Sequence, residues 1–109
     1  MQIIDAAGTF SAAGQDADWR EHLRVPDLSV GTYSIPAGGR DEQEPHTEDE
    51  IYVVMSGRAV ITAGPSTAPV AAGSVIYVPA GEEHRFTQVS EDLTVLVCFA
   101  PAEYSRSQS

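Results

Sequence analysis

The sequence predicts an all-β sandwich or barrel, and three observations carry that prediction. Helical signal is confined to one short stretch near the N-terminus. Runs of four to eight apolar, β-branched and aromatic residues recur from residue 28 onward. Proline and glycine turn signals separate these runs at short intervals, the rhythm of sandwiches and barrels. The chain has 109 residues, enough for one domain and one core.

The helical stretch runs from Asp16 to Leu23, where Asp16 or Asp18 caps a turn carrying Trp19 and His22 and Pro26 closes it. Residues 1–27 are therefore expected to form a short irregular or helical arm, with Trp19 anchoring it and His22 partly exposed. Leu28–Ile35 reads as a strand ended by Pro36-Ala37-Gly38-Gly39. Glu50–Met55 and Arg58–Ala63 follow, with Ser56-Gly57 between them as a hairpin turn. Residues 64–73, with Pro65 and Pro69, read as a loop. Val75–Val78 ends at Pro79-Ala80-Gly81, and His84–Val89 and Leu93–Phe99 complete a barrel over residues 28–101. Residues 102–109 form a polar C-terminal tail, expected to fray from Ser105.

Half-exposed antiparallel strands alternate apolar and polar residues. Ile51–Met55 and Leu93–Phe99 are apolar in both phases, so both of their faces need cover. A strand through Ile3 and Ile4 or a second copy of the chain supplies it. The expectation is a homodimer.

Composition narrows the function classes. Six cations, all arginine, face sixteen carboxylates for a net charge of −10, with a pI near 4.4. Such a surface repels phosphate backbones and anionic lipid, so nucleic-acid and membrane roles are not expected. No apolar run approaches the ~18 residues of a membrane span. The single cysteine, Cys98, excludes an intramolecular disulfide and a cysteine-rich zinc site. It reads as a small buried hydrophobe in a cytoplasmic protein. With no lysine, Schiff-base chemistry is excluded.

Two blocks place ionisable side chains at regular spacings. The first is Gly38, five residues, Glu44, one residue, His46, three residues, Glu50, six residues, Gly57. The second is Gly73, five residues, Pro79, one residue, Gly81, two residues, His84, three residues, Gln88. Strand alternation puts residues 44 and 46 on one face and Gln43 on the other. Two imidazoles and one or two carboxylates are costly to bury unpaired inside a barrel, and a divalent cation resolves that cost. The remaining acidic residues around them, Glu42, Glu48, Asp49, Glu82 and Glu83, read as loop carboxylates that set the local potential.

These blocks resemble the two motifs of the cupin superfamily, G-x5-H-x-H-x3,4-E-x6-G and G-x5-P-x-G-x2-H-x3-N. The resemblance implies a small single-domain jelly-roll barrel, or double-stranded β-helix. It carries the family's metal ligands onto His46, Glu50 and His84 unchanged, and onto Glu44 by position alone, where a histidine is usual. Gln88 stands where the family has asparagine. The implied cofactor is a divalent ion, Mn, Fe, Ni or Zn, which nitrogen and oxygen donors without thiolate favour. The implied function is a metal-dependent enzyme, of dioxygenase, isomerase or lyase type, acting on a small organic molecule. The alternative is a non-catalytic binding or sensor barrel. Tyr52 or Tyr33 would donate a proton and Gln88 would orient substrate, with Phe86 and Val54 lining the wall and Arg40 and Arg85 near the mouth.

Overall fold

Six strands build the chain in the computed structural model, which describes residues 1–41 and 43–106. They are β1 (Asp18–Val25), β2 (Leu28–Ile35), β3 (Asp49–Ala63), β4 (Ser66–Ala71), β5 (Val75–Val78) and β6 (His84–Ala100). The expectations for Glu42 and for residues 107–109 lie outside the described residues. The sheet runs β1-β2-β6-β3-β4, with β5 also paired to β3, and every pairing is antiparallel. This is the all-β jelly-roll architecture that the sequence predicts.

The two longest strands organise the rest. β3 and β6 pair from Asp49↔Ala100 to Ala63↔His84, through register shifts between Val54 and Val60. The first half of β3 alternates as a strand with one buried face: Glu50, Tyr52 and Val54 are buried, and Ile51 and Val53 half-buried. Tyr33, Ile35, Leu93, Val95, Val97 and Phe99 complete the inner face. Burying each of the larger of these side chains contributes roughly 1.5–3 kcal/mol.

Four local expectations are corrected. The Asp16–Leu23 stretch is not helical, because residues 18–25 form β1 on β2. The Trp19 indole lies over Gly31, where a Cβ would come within 2.3 Å of the ring. It also meets Tyr33 and Phe99 edge-on. That packing outweighs the capping signal of the aspartates, as tertiary context overrides weak helix propensity. His22 accordingly sits on a strand, with its Nε2 2.6 Å from Thr32 Oγ1. Ser56-Gly57 is not a hairpin turn but an irregularity within the continuous β3. Residues 64–73 are not all loop, since Ser66–Ala71 return along Arg58–Ala63 as β4. His84–Val89 and Leu93–Phe99 are one bent strand.

No strand forms at Ile3 and Ile4. The N-terminal segment still covers part of the outer face, where Gly8 N–H donates to Thr32 Oγ1 (2.8 Å) and Ser11 N–H to Ser34 Oγ (3.2 Å). Thr32 and Ser34 are buried as a result.

Gly57 is the position where the bend has least tolerance. Its φ is +94°, and an added Cβ would lie 2.2 Å from the Asp92 carbonyl oxygen. Gly57→Ala is expected to destabilise the fold by at least about 1–3 kcal/mol, read as a lower urea midpoint. An unchanged midpoint would show that β3 and β6 relax apart at the bend.

Candidate metal centre

The first block lies in the chain between β2 and β3, and a buried carboxylate ties much of it down. Asp41 accepts hydrogen bonds from Tyr33 O–H (2.8 Å), Phe86 N–H (2.9 Å) and Gln43 N–H (3.1 Å). It therefore joins β2, β6 and the loop at one point. The Gly81 N–H donates to the His46 carbonyl (2.7 Å), clamping the two blocks backbone to backbone. Glu50 is on β3 opposite Val78 and Phe99, and His84 opens β6 opposite Ala63.

His46, Glu50 and His84 converge from these three places. One donor atom from each lies within 4.8 Å of the others, and all three residues are buried. Glu50 Oε1 is 2.9 Å from His84 Nε2 and 3.6 Å from His46 Nδ1. Among the described residues, His46 Nδ1 and both Glu50 carboxylate oxygens are buried without a hydrogen bond of good geometry. Glu50 Oε1 at least faces His84 Nε2, but buried polar atoms are nearly always satisfied, so His46 Nδ1 and Glu50 Oε2 require an explanation. Two imidazole nitrogens and a carboxylate fit a divalent ion of the borderline class.

Each ring is gripped by its other nitrogen. His84 Nδ1–H donates to the Glu82 carbonyl at 2.8 Å, and its Nε2 also lies 2.8 Å from the Tyr52 hydroxyl. His46 Nε2–H donates to Glu103 Oε2 at 2.8 Å. The His46 ring also lies between Phe99 and Tyr104, with centroids at 4.5 and 5.1 Å.

Glu103 and Tyr104 belong to the stretch expected to be a polar tail. Glu48, read from sequence as a loop carboxylate, is instead buried and accepts from Tyr104 N–H (2.6 Å) and Arg106 N–H (2.9 Å). Glu103 N–H donates to the buried Ser29 Oγ (2.8 Å). Fraying at Ser105 and Arg106 is corrected by these bonds and by Ser105 N–H to the Ala102 carbonyl (2.9 Å).

Of the expected ligands, the structure brings together His46, Glu50 and His84, and leaves Glu44 exposed and outside the cluster. Tyr52 is fully buried beside His84. Gln88, expected to orient substrate, is instead exposed on the outside of β6 with φ +49°. A register shift there turns Val89 into the core instead. Gln43, expected to face away, comes within 3.3 Å of the Tyr52 hydroxyl through its Oε1. No motif position signals Gln43, Glu103 or Tyr104. A cleft of ≈ 980 Å³, lined in part by Trp19, Tyr33, Gln43, Glu103 and Tyr104, reaches the cluster at His46.

The electrostatics follow from burial against pairing. Burial pulls His46 down, but the Glu103 and Glu50 carboxylates outweigh it and hold the imidazole up at about 9. His84 is likewise raised, burial being outweighed by Glu50 and the Glu82 carbonyl. Burial pushes Glu50 up, yet the two imidazoles bring it below the usual carboxylate range. Burial raises Tyr52 well above an ordinary phenol, reinforced by Glu50 and Asp41. Its hydroxyl stays protonated.

Known proteins share this arrangement of strands. The chain is 53% identical over 91 residues to the uncharacterized protein SCO3923 of Streptomyces coelicolor, covering 84% of this chain and 87% of that one. The structure superposes on an RmlC-like cupin with a double-stranded β-helix fold from Methanocaldococcus jannaschii. Its TM-score is 0.72 at 14% identity, covering 92% and 94% of the two chains. DMSP lyase DddQ from Ruegeria pomeroyi gives a TM-score of 0.65 at 22% identity, over 70% of this chain and 39% of that one. At such identities the structural likenesses carry the fold alone. Residues 31–99 match the family described as Cupin domain, and with its jelly-roll sheet and paired motif blocks this chain belongs to the cupin family.

Proposed function

We propose that the chain is a metal-dependent enzyme acting on a small organic molecule, with one divalent ion held by His46, Glu50 and His84. The observation that carries this reading is the convergence of one donor atom each from buried His46, Glu50 and His84, all within 4.8 Å of one another. The cupin fold is also one that enzymes use, DMSP lyase DddQ among them. A divalent ion supplies Lewis-acid polarisation of a carbonyl or enol oxygen, which suits a dioxygenase, isomerase or lyase. Mn, Fe, Ni and Zn all match the donors, and Glu44 is left out of the ligand set.

The chain's own residues supply the rest. Tyr52 holds a proton on its hydroxyl, 2.8 Å from His84 Nε2 and within reach of Gln43. It is the proton donor of the proposal. Tyr33 is committed to Asp41. Trp19, Tyr33 and Tyr104 give the cleft aromatic walls, which favour a neutral or singly charged substrate with a flat face. A single free cysteine and an acidic surface fit a cytoplasmic protein.

Protein purified without chelator is expected to carry about one divalent ion per chain by elemental analysis. His46→Ala and His84→Ala are each expected to lose it while keeping the β-sheet signature in circular dichroism. Full occupancy in both variants would overturn the site. Small diketones, catechols, hydroxy acids and sugars, screened with Fe(II), Mn(II), Ni(II) and Zn(II) forms with and without oxygen, test the activity. Binding without turnover in every form would favour the sensor barrel.

The metal-free protein is expected to have a particular pH profile. His46, raised from 6.5 to about 9, stabilises the fold fully below pH 6.5, and this contribution is lost as pH rises through about 9. Glu50, lowered from 4.5, contributes above that pH and loses its effect as pH falls below it. The melting temperature of chelator-treated protein should therefore peak between about pH 4.5 and 6.5 and fall toward pH 9. Saturating Zn(II) should remove most of the alkaline decline. A flat profile from pH 6 to 9 without metal would contradict the cluster's geometry.

The same reading includes a homodimer. Met55, Val75 and Tyr77 are exposed on the outer face, beside half-buried Ile51, Val53 and Leu96. A stable interface needs about 800 Å² from each copy, and this face suits a second copy presenting the same apolar stripe. Sedimentation at micromolar concentration is expected to give twice 11.6 kDa, and Tyr77→Glu to give the monomer. A monomeric parent would refute it.

A further inference from the structure

We propose that Glu103 is the positioning residue that makes His46 present Nδ1, rather than Nε2, to the metal centre. The inference rests on the metal-site reading above.

The two histidines are oriented by different means. His84 spends Nδ1–H on the carbonyl of Glu82, two residues back in its own turn, and so offers Nε2 to Glu50. His46 has the opposite polarity. Its Nε2–H is taken by Glu103 Oε2 at 2.8 Å, and Nδ1 faces Glu50 Oε1 at 3.6 Å without a hydrogen bond. A carboxylate that accepts from one imidazole nitrogen fixes the ring's tautomer and makes the other nitrogen a better ligand.

Glu103 is built for that role. It is buried, its N–H is fixed to Ser29 Oγ at 2.8 Å, and the next residue's N–H is fixed to buried Glu48 at 2.6 Å. Tyr104 then stacks on the His46 ring, at 25° between planes, and with Phe99 limits its rotation. The carboxylate acts from outside the motif blocks. It lies 57 residues from His46 in sequence.

The test uses the full chain loaded with zinc. Nitrogen–proton correlation spectra of the imidazoles are expected to show His46 with its hydrogen on Nε2 and its ligating nitrogen at Nδ1. Glu103→Ala is expected to weaken zinc by about 10–100-fold in chelator competition, and to broaden or move the His46 Nε2–H signal while the His84 Nδ1–H signal stays. Glu103→Gln keeps an acceptor oxygen and should recover part of the affinity, which also serves if the alanine variant folds poorly. A wild-type spectrum with the hydrogen on Nδ1 of His46, or unchanged zinc affinity in both variants, overturns the assignment and leaves the metal site intact. Failure of wild-type protein to bind zinc, manganese, iron or nickel would instead remove the metal-site reading and this inference with it.

Discussion

Burying Glu50 between two imidazoles sets the terms for everything around it. An ionised carboxylate removed from water costs several kcal/mol unless opposing charge and hydrogen bonds compensate. Here His46 and His84 supply the charge, and the fold must bring both rings to one point from separate segments, the chain before β3 and the start of β6. The Gly81–His46 backbone bond and the pairing of β3 with β5 and β6 are the means.

Two further buried carboxylates solve a related problem. Among the described residues, the chain between β2 and β3 has no regular ladder to satisfy its backbone or fix its path. Asp41 ties this stretch to Tyr33, Phe86 and Gln43, while Glu48 receives the C-terminal backbone at Tyr104 and Arg106. Charged acceptors make stronger bonds than neutral ones, and are suited to pinning irregular segments. Part of the chain's acidity is thus internal scaffolding rather than surface charge. Composition alone could not distinguish the two.

The sequence was legible wherever a residue's role depends on local spacing. The blocks around His46, Glu50 and His84 identify the cluster because they keep the spacings of the cupin motifs, and the resemblance carries the ligand set onto those three residues. Strand alternation from Glu50 puts Tyr52 on the same buried face. It fails at Gln88, where positive φ at a register shift reverses the alternation, and at Gln43, in a stretch that is not a strand. Helix-cap reasoning fails for β1, whose conformation is decided by the long-range seat of the Trp19 indole on Gly31 rather than by the local aspartate signal. Glu48, Glu103 and Tyr104 escaped for a different reason. Their partners are brought close only after the barrel closes, and no local pattern encodes that.

The contrast between the two histidines follows from this division. His84 is oriented within its own turn, so its geometry travels with the second block. His46 is oriented by a segment beyond the last strand, on a ring held between Phe99 and Tyr104. A change in how residues 102–106 dock would therefore reach His46 first, and would leave His84 and the barrel core in place. The same segment lines the cleft through Glu103 and Tyr104. One short stretch outside the matched residues 31–99 thus bears on both the donor polarity of the cluster and the shape of its entrance. Two chains with identical motif blocks and different C-terminal segments would share the fold and the three donors, yet differ in how His46 is presented and in what can reach it.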